Sequence, residues 1–225
     1  MHLKTVTLTL KSDRPVTEPA ATLRGFFATR FSEYALLHQH INVDKLLYRY
    51  PRIQYRILEG TALVLGIEEG AEVLKDVYDK YDEIALGEAV YTIVERGIHV
   101  KEETFGISPE LLSYAFITPW IALSQNNYRR YLESNRGERR ALLQRTLIGN
   151  ILSASKGLDY VVLEKIRAET GRFQLCRCEI KGTQFIGFLG RFVVNFMIPD
   201  YMGLGKSVSR GFGAVRRLNK EDGEG

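Results

Sequence analysis

Residues 52–67 read RIQYRILEGTALVLGI. Two apolar runs flank Glu59-Gly60-Thr61, and a glycine between two such runs predicts a β-hairpin. What lies on either side of that hairpin decides the fold. Upstream, LKTVTLTLKS (3–12) carries Leu3, Val6, Leu8 and Leu10 in strand-like alternation. Between them, 17–31 places Ala20, Leu23, Phe27 and Phe31 at helical spacing, with Phe26 beside them and Thr17-Glu18-Pro19 as the opening. An irregular stretch with short helical character then runs to Pro51. Downstream, EEGAEVLKDVYDKYDEI (68–84) spaces Ala71, Leu74, Val77, Tyr78 and Tyr81 as a helix, and AVYTIVERGIHVKEE (89–103) returns to strand. The resulting order, β-α-β-β-α-β, is the ferredoxin-like split βαβ unit.

The second half is related in kind. ELLSYAFITPWIAL (110–123) reads as a strand broken at Pro119. Residues 124–157 read as helix, interrupted near Gly137 and ended by Gly157. Residues 172–199 hold two or three strands with a turn near Lys181-Gly182. The chain therefore divides into two α+β halves, 1–105 and 106–225. Four-stranded sheets with helices on one face leave the other face free for a long anionic polymer, as in the RNA-recognition fold.

A chain of 225 residues, 45% hydrophobic and 26% charged, buries a core of ordinary size. No apolar stretch is long enough to span a bilayer, and the alternating N-terminus reads as a strand and not a signal peptide. The cysteines, Cys176 and Cys178, sit one residue apart on a strand, as small buried hydrophobes in a reducing, cytoplasmic setting. The net charge of +4 conceals an asymmetry. Residues 1–60 hold nine Lys/Arg against five Asp/Glu, 61–115 hold four against twelve, and 116–225 hold eighteen against ten. Basic ends and an acidic middle predict one positive surface.

Residues 203–217, GLGKSVSRGFGAVRR, concentrate four glycines and four cations with no acid. A P-loop would need glycine where Asp200 stands, and a dinucleotide fingerprint would need glycine at Val208 or Arg216, so both nucleotide motifs fail. The alternatives are a loop that holds another anion and a β-hairpin loop with solvated charges.

Chemistry concentrates in LLHQHINVDKLLYRYP, where His38 and His40 leave the first helix, and Lys45, Tyr48 and Arg49 follow; Arg30 precedes them by two helical turns. Metal-free RNA cleavage needs a base for the 2′-OH, an acid for the departing 5′-oxygen and a cation for the charged phosphorane. Histidine suits both proton roles at neutral pH, and lysine or arginine the third. A zinc site would need more ligands than the histidines and nearby Asp44 provide. One histidine capping the helix C-terminus, with the other solvated, is the structural alternative. The segment YRRYLESNRGERRALLQR (128–145) adds Arg129, Arg130, Arg136, Arg139, Arg140 and Arg145. They could run along a phosphate backbone or line a solvated helix face.

Taken together, these features resemble the CRISPR-associated endoribonucleases of the RAMP superfamily, which cut long repeat-containing transcripts into guide RNAs. The resemblance spans the whole chain, and its most specific motif is the loop Gly203-Leu204-Gly205-Lys206-Ser207 through Gly211-Phe212-Gly213. It implies an α+β fold of two tandem ferredoxin-like (RRM-like, βαββαβ) domains, cytoplasmic, working without cofactor or metal as monomer or homodimer. Cleavage within the repeat would leave a 2′,3′-cyclic phosphate and a 5′-hydroxyl. His40 would be the leading general acid or base, His38 its partner, with Tyr48 and Lys45 in support. RNA phosphates would be held by the backbone N–H groups of the glycine loop (Gly203, Gly205, Ser207, Gly211, Gly213), with Lys206 and Arg210 beside them. Arg30, Arg49, Arg129, Arg130, Arg139 and Arg140 would be further RNA contacts. The other role the superfamily offers is a non-catalytic RNA-binding subunit of a CRISPR effector complex, with other subunits as partners.

Overall fold

The alternation at the N-terminus becomes β1 (His2–Ser12), whose Val6, Leu8 and Leu10 are fully buried on one face. A computed structural model describes residues 1–38, 50–180 and 182–219 of the chain. The hairpin is β2 (Ile53–Leu58) and β3 (Thr61–Ile67), in register from Ile53↔Gly66 to Leu58↔Thr61. Its loop, Glu59-Gly60, has φ of 50° and 78°, the left-handed pair that matches strand twist. β3 also pairs antiparallel with β1, and the sheet order among the described residues is β2-β3-β1-β5-β4. Here β4 is Glu83–Leu86 and β5 is Ala89–Thr104.

Without β4 this is the ferredoxin-like order. β4 corrects the sequence reading, which ran the second helix to residue 84. That helix, α3 (Glu69–Val77), stops one turn after Leu74, and Ile84 and Leu86 then alternate inward as an edge strand. The turn Gly87-Glu88, with Gly87 at φ 64°, folds β4 onto β5. The first helix, α1 (Ala20–Arg30), begins after Pro19 and not at Thr17; Ala20, Leu23 and Phe27 form its buried stripe. Phe26, Phe27 and Phe31 form an aromatic cluster with Tyr81, ring centroids 5.5–5.9 Å apart, so these rings belong to the core.

The second domain repeats the plan. β6 (Gly106–Trp120) and β9 (Thr183–Met197) are its central strands, and the order is β10-β6-β9-β7, with β10 at Val215–Arg217 and β7 at Ala168–Thr170. β8 (Gln174–Ile180) pairs with the other end of β9, so the second ferredoxin strand is split into β7 and β8 around Gly171. β6 continues through Pro119 where a break was expected, but its register on β9 shifts between Phe116 and Trp120.

The expected interruption at Gly137 falls earlier. α4 (Gln125–Glu133) and α5 (Arg136–Gly157) meet at Ser134-Asn135, and Gly137 lies inside α5. Asn135 closes a capping box with Glu138, each side chain bonded to the other's backbone N–H. Leu143, Leu147, Ile151 and Ala154 give α5 a buried stripe. Between β9 and β10, where the ferredoxin plan has its second helix, lie Ile198–Ala214 with a 3₁₀ turn at Val208–Arg210.

The chain forms two compact units. One holds His2–Glu103 together with Val208–Gly211; the other holds Met1, Thr104–Ser207 and the chain from Phe212.

Candidate functional site

α1 ends in exposed Arg30, and the chain turns through Phe31–Tyr34 into α2 (Ala35–His38). The turn is held by Tyr34 and Leu37, whose N–H groups donate to Phe31 O (3.1 Å) and Tyr34 O (3.0 Å), and Leu37 is buried in the core. His38 therefore closes a helical turn that Leu37 anchors in the core. His40, Lys45, Tyr48 and Arg49 lie outside the described residues, as does the side chain of His38.

The glycine-rich stretch is packed more tightly than its composition suggests. Gly205 (φ 92°) has no room for a side chain: a Cβ there would stand 2.8 Å from Trp120 Nε1 and 2.9 Å from Ile121 O. At Gly213 (φ 69°) a Cβ would meet Leu204 O at 2.0 Å. Gly203, bridged to Ala214, is buried, and Ser207 adopts φ 56°. The N–H groups of Leu204, Lys206 and Gly213 donate to Gly213 O (2.8 Å), Ile121 O (3.2 Å) and Pro119 O (2.9 Å). These N–H groups hold the loop to its own unit. What the stretch turns outward is cationic: Lys206 is exposed and its Nζ reaches Leu123 O at 3.3 Å, while Arg210 is half-buried.

Val208–Gly211 lies in the N-terminal unit, and two arginines that sequence reasoning missed meet it there. Arg56, on β2, is fully buried, and its guanidinium donates to Val208 O (2.6 Å), Tyr55 O (2.7 Å) and Gln54 Oε1 (2.6 Å). Burial lowers it to about 10 from its ordinary range. Nothing local in IQYRIL distinguishes it from a solvent-facing residue of an alternating strand. Arg24 lies one helical turn beyond Ala20, and Ala20 is the residue Gly211 packs against; a Cβ on Gly211 would be 2.8 Å from the Ala20 Cβ. Burial first, and then the nearby Arg210 cation, lowers Arg24 below its ordinary value. α1 thus has the glycine-loop segment at its first turn, Arg24 at its middle and Arg30 at its end, where the histidine stretch begins. Ten residues of helix separate Ala20 from Arg30, about 15 Å.

Arg129 and Arg130 on α4, and Arg140 on α5, are exposed, as the reading of a basic helix expected. Arg139 is used otherwise: its Nε and Nη2 donate to Tyr131 O (2.8 Å) and Leu132 O (2.9 Å), and it stacks over the Tyr131 ring at 5.0 Å. It fastens α5 to the end of α4. Among the described residues no cluster of three His, Cys, Asp or Glu side chains is placed to hold a metal, and no helix is long and apolar enough to cross a membrane.

Two ferredoxin-like domains in tandem, the second with a glycine-rich loop before its last strand, are the fold of the Cas6 proteins of the RAMP superfamily. A type IV Cas6 crRNA endonuclease, Csf5, shares it at a TM-score of 0.56 over 97% of this chain and 100% of its own, with 10% identity. Within that class the match narrows. A crystal structure of Cas6b aligns with 97% of this chain and 100% of its own, at 32% identity and a TM-score of 0.89. A second, of the CRISPR RNA processing endoribonuclease Cas6b, covers the same shares at 32% identity and a TM-score of 0.76. An uncharacterized protein of Methanocaldococcus jannaschii is 45% identical over 138 residues, 61% of this chain and 94% of its own. The models of the Cas6b N-terminal and C-terminal domains match residues 1–104 and 106–218, and the chain belongs to the Cas6b family.

Proposed function

We propose that the protein is an endoribonuclease that processes CRISPR repeat RNA, cutting it without a metal by attack of a ribose 2′-OH on the adjacent phosphate. The observation that carries this reading is the whole-chain match to a Cas6b endoribonuclease at 32% identity. In the reaction the 2′-oxygen loses its proton and bonds to phosphorus. The bond from phosphorus to the 5′-oxygen breaks, and that oxygen takes up a proton. The products are a 2′,3′-cyclic phosphate and a 5′-hydroxyl, with no water consumed.

His40 is the leading group for one proton transfer and His38 its partner, each transfer being worth roughly 10² to 10⁴ in rate. Lys45 and Tyr48 support the charged phosphorane. Arg30, Arg49, Lys206 and Arg210 hold flanking phosphates, and Arg24, between the glycine-loop segment and Arg30 on α1, joins them. Arg129, Arg130 and Arg140 extend the contact to the second domain.

The test is cleavage of a 5′-labelled repeat RNA from the source genome, in EDTA, resolved on a denaturing gel. A single cut with a cyclic-phosphate end is expected. A 2′-deoxy sugar just upstream of the scissile phosphate should bind uncut, and His40→Ala should bind with near-normal affinity and cut at least about a hundredfold more slowly. Cleavage of the deoxy substrate would mean that water is the nucleophile. Loss of less than tenfold in the variant would remove His40 from the proton transfers. Tight binding by the wild type with no cut would make the protein a non-catalytic RNA-binding subunit.

A further inference from the structure

We propose that a groove in the C-terminal unit is a nucleotide subsite that takes a single-stranded segment of the RNA. This rests on the RNA-processing reading above and adds to it a contact made by β6, β7, β9 and β10, elements that carry none of the candidate catalytic residues.

The register brings Arg217, Tyr114, Phe192 and Thr170 into one row across the four strands. A groove of about 560 Å³ crosses the same four strands, within the range of small-ligand sites. Arg140 from α5, Arg191 from β9 and Arg217 from β10 line it, together with Glu110 of β6 and Glu169 of β7. Among the described residues, no hydrogen bond or ion pair engages these five side chains. Arg191 and Arg217 are exposed, so their forks are open to a ligand.

The mixture of charges narrows the ligand. Three guanidinium groups match phosphate oxygens in geometry as well as charge. A purely anionic ligand would be repelled by the two carboxylates, which need N–H donors. A nucleotide has both: phosphate oxygens for the arginines, and base amino groups for the carboxylates, as a carboxylate accepts from the cytosine amine. Base edges are open in this way only in single-stranded RNA, where arginine planes also stack on bases.

The experiment compares full-length wild type with Arg191→Gln/Arg217→Gln by equilibrium binding to the complete repeat RNA across a salt series. Repeat RNA containing 4-thiouridine is cross-linked to the wild type in parallel, and the adducts are mapped by mass spectrometry. The double variant is expected to bind about tenfold more weakly, with a log–log salt slope shallower by about 1.4 for two lost single-strand phosphate contacts. Cross-links should fall within 169–171 or 191–193. Unchanged affinity and slope, with no cross-link there, would overturn the subsite and leave the RNA-processing reading standing. A wild type that binds no repeat RNA would remove both. A free mononucleotide, CMP, is titrated as well; binding that needs Arg191 and Arg217 while RNA affinity ignores them would make the groove a free-nucleotide site and overturn the proposal.

Discussion

Gly205 and Arg56 show how much of this protein's chemistry depends on single residues whose environments oppose their usual preferences. Gly205 lies in the left-handed region with the indole edge of Trp120 where a side chain would go. Gly205→Ala is expected to lower stability by about 1–3 kcal/mol. Because Trp120 is the chain's one tryptophan, its emission should shift along with the thermal midpoint. A variant with unchanged melt and emission would show that the loop yields at no cost. Arg56 is the harder case, since its strand reads as an alternating one and alternation assigns it to solvent. It is buried because its guanidinium has a carbonyl to bind from a segment 152 residues away, and no local pattern announces a partner at that distance.

At the scale of elements, legibility followed spacing. Helices with buried stripes and strands with inward alternation are recoverable: β1, the β2–β3 hairpin and α5 lie where periodicity predicts them, and α1 and α3 lie within the predicted helices but are shorter. Breaks are harder to read, because capping side chains, and not glycine or proline alone, set where these helices end. Asn135-Arg136-Gly137-Glu138 contains a complete capping box, a better signal for the α4–α5 junction than the glycine within it. The junction predicts a separation of roles. Arg139→Ala should lower stability by about 1–2 kcal/mol, from lost charge-assisted hydrogen bonds to the end of α4. Its RNA affinity should fall less than that of Arg129→Ala/Arg130→Ala, measured by the same binding assay; the reverse order would make Arg139 an RNA contact. The β8–β9 hairpin makes a pH prediction. Burial, and then neighbouring Cys176, pushes the Cys178 thiol up to about 12. The folded thiol binds its proton more tightly than the unfolded one, so its contribution to stability is complete below about pH 9 and declines from there toward pH 12. Denaturant melts on either side of pH 9 should show a decline that Cys178→Ala reduces, and equal declines in both proteins would refute it.

For the whole molecule, the charge asymmetry of the sequence sets where the cations proposed to hold RNA lie. The cations assigned to RNA come from the two basic stretches, and the acidic residues 61–115 supply β3, α3, β4, β5 and the first part of β6. Binding should therefore be strongly salt-dependent. Lys206→Gln/Arg210→Gln should flatten the log–log slope by about 1.4, two single-strand phosphate contacts, with cleavage at saturating RNA little changed. An unchanged slope would remove the loop side chains from the interface. The candidate site was legible as composition, histidines with cations beside them and a glycine-rich basic loop. Arg24 and Arg56 were not, because they act through a tertiary contact with Val208–Gly211.

That contact has a consequence for dividing the chain. Val208–Gly211 belongs to the N-terminal unit although all of Thr104–Ser207 intervenes. A gene split after residue 103 would thus encode an incomplete receptor, with Arg56 deprived of the Val208 carbonyl. The missing strip could be returned in trans: a peptide spanning 205–213, added to such a fragment, should dock and rescue its fold. The N-terminal half in that sense borrows a strip of later sequence, and a lineage that separated the halves would have to carry that strip on the N-terminal piece.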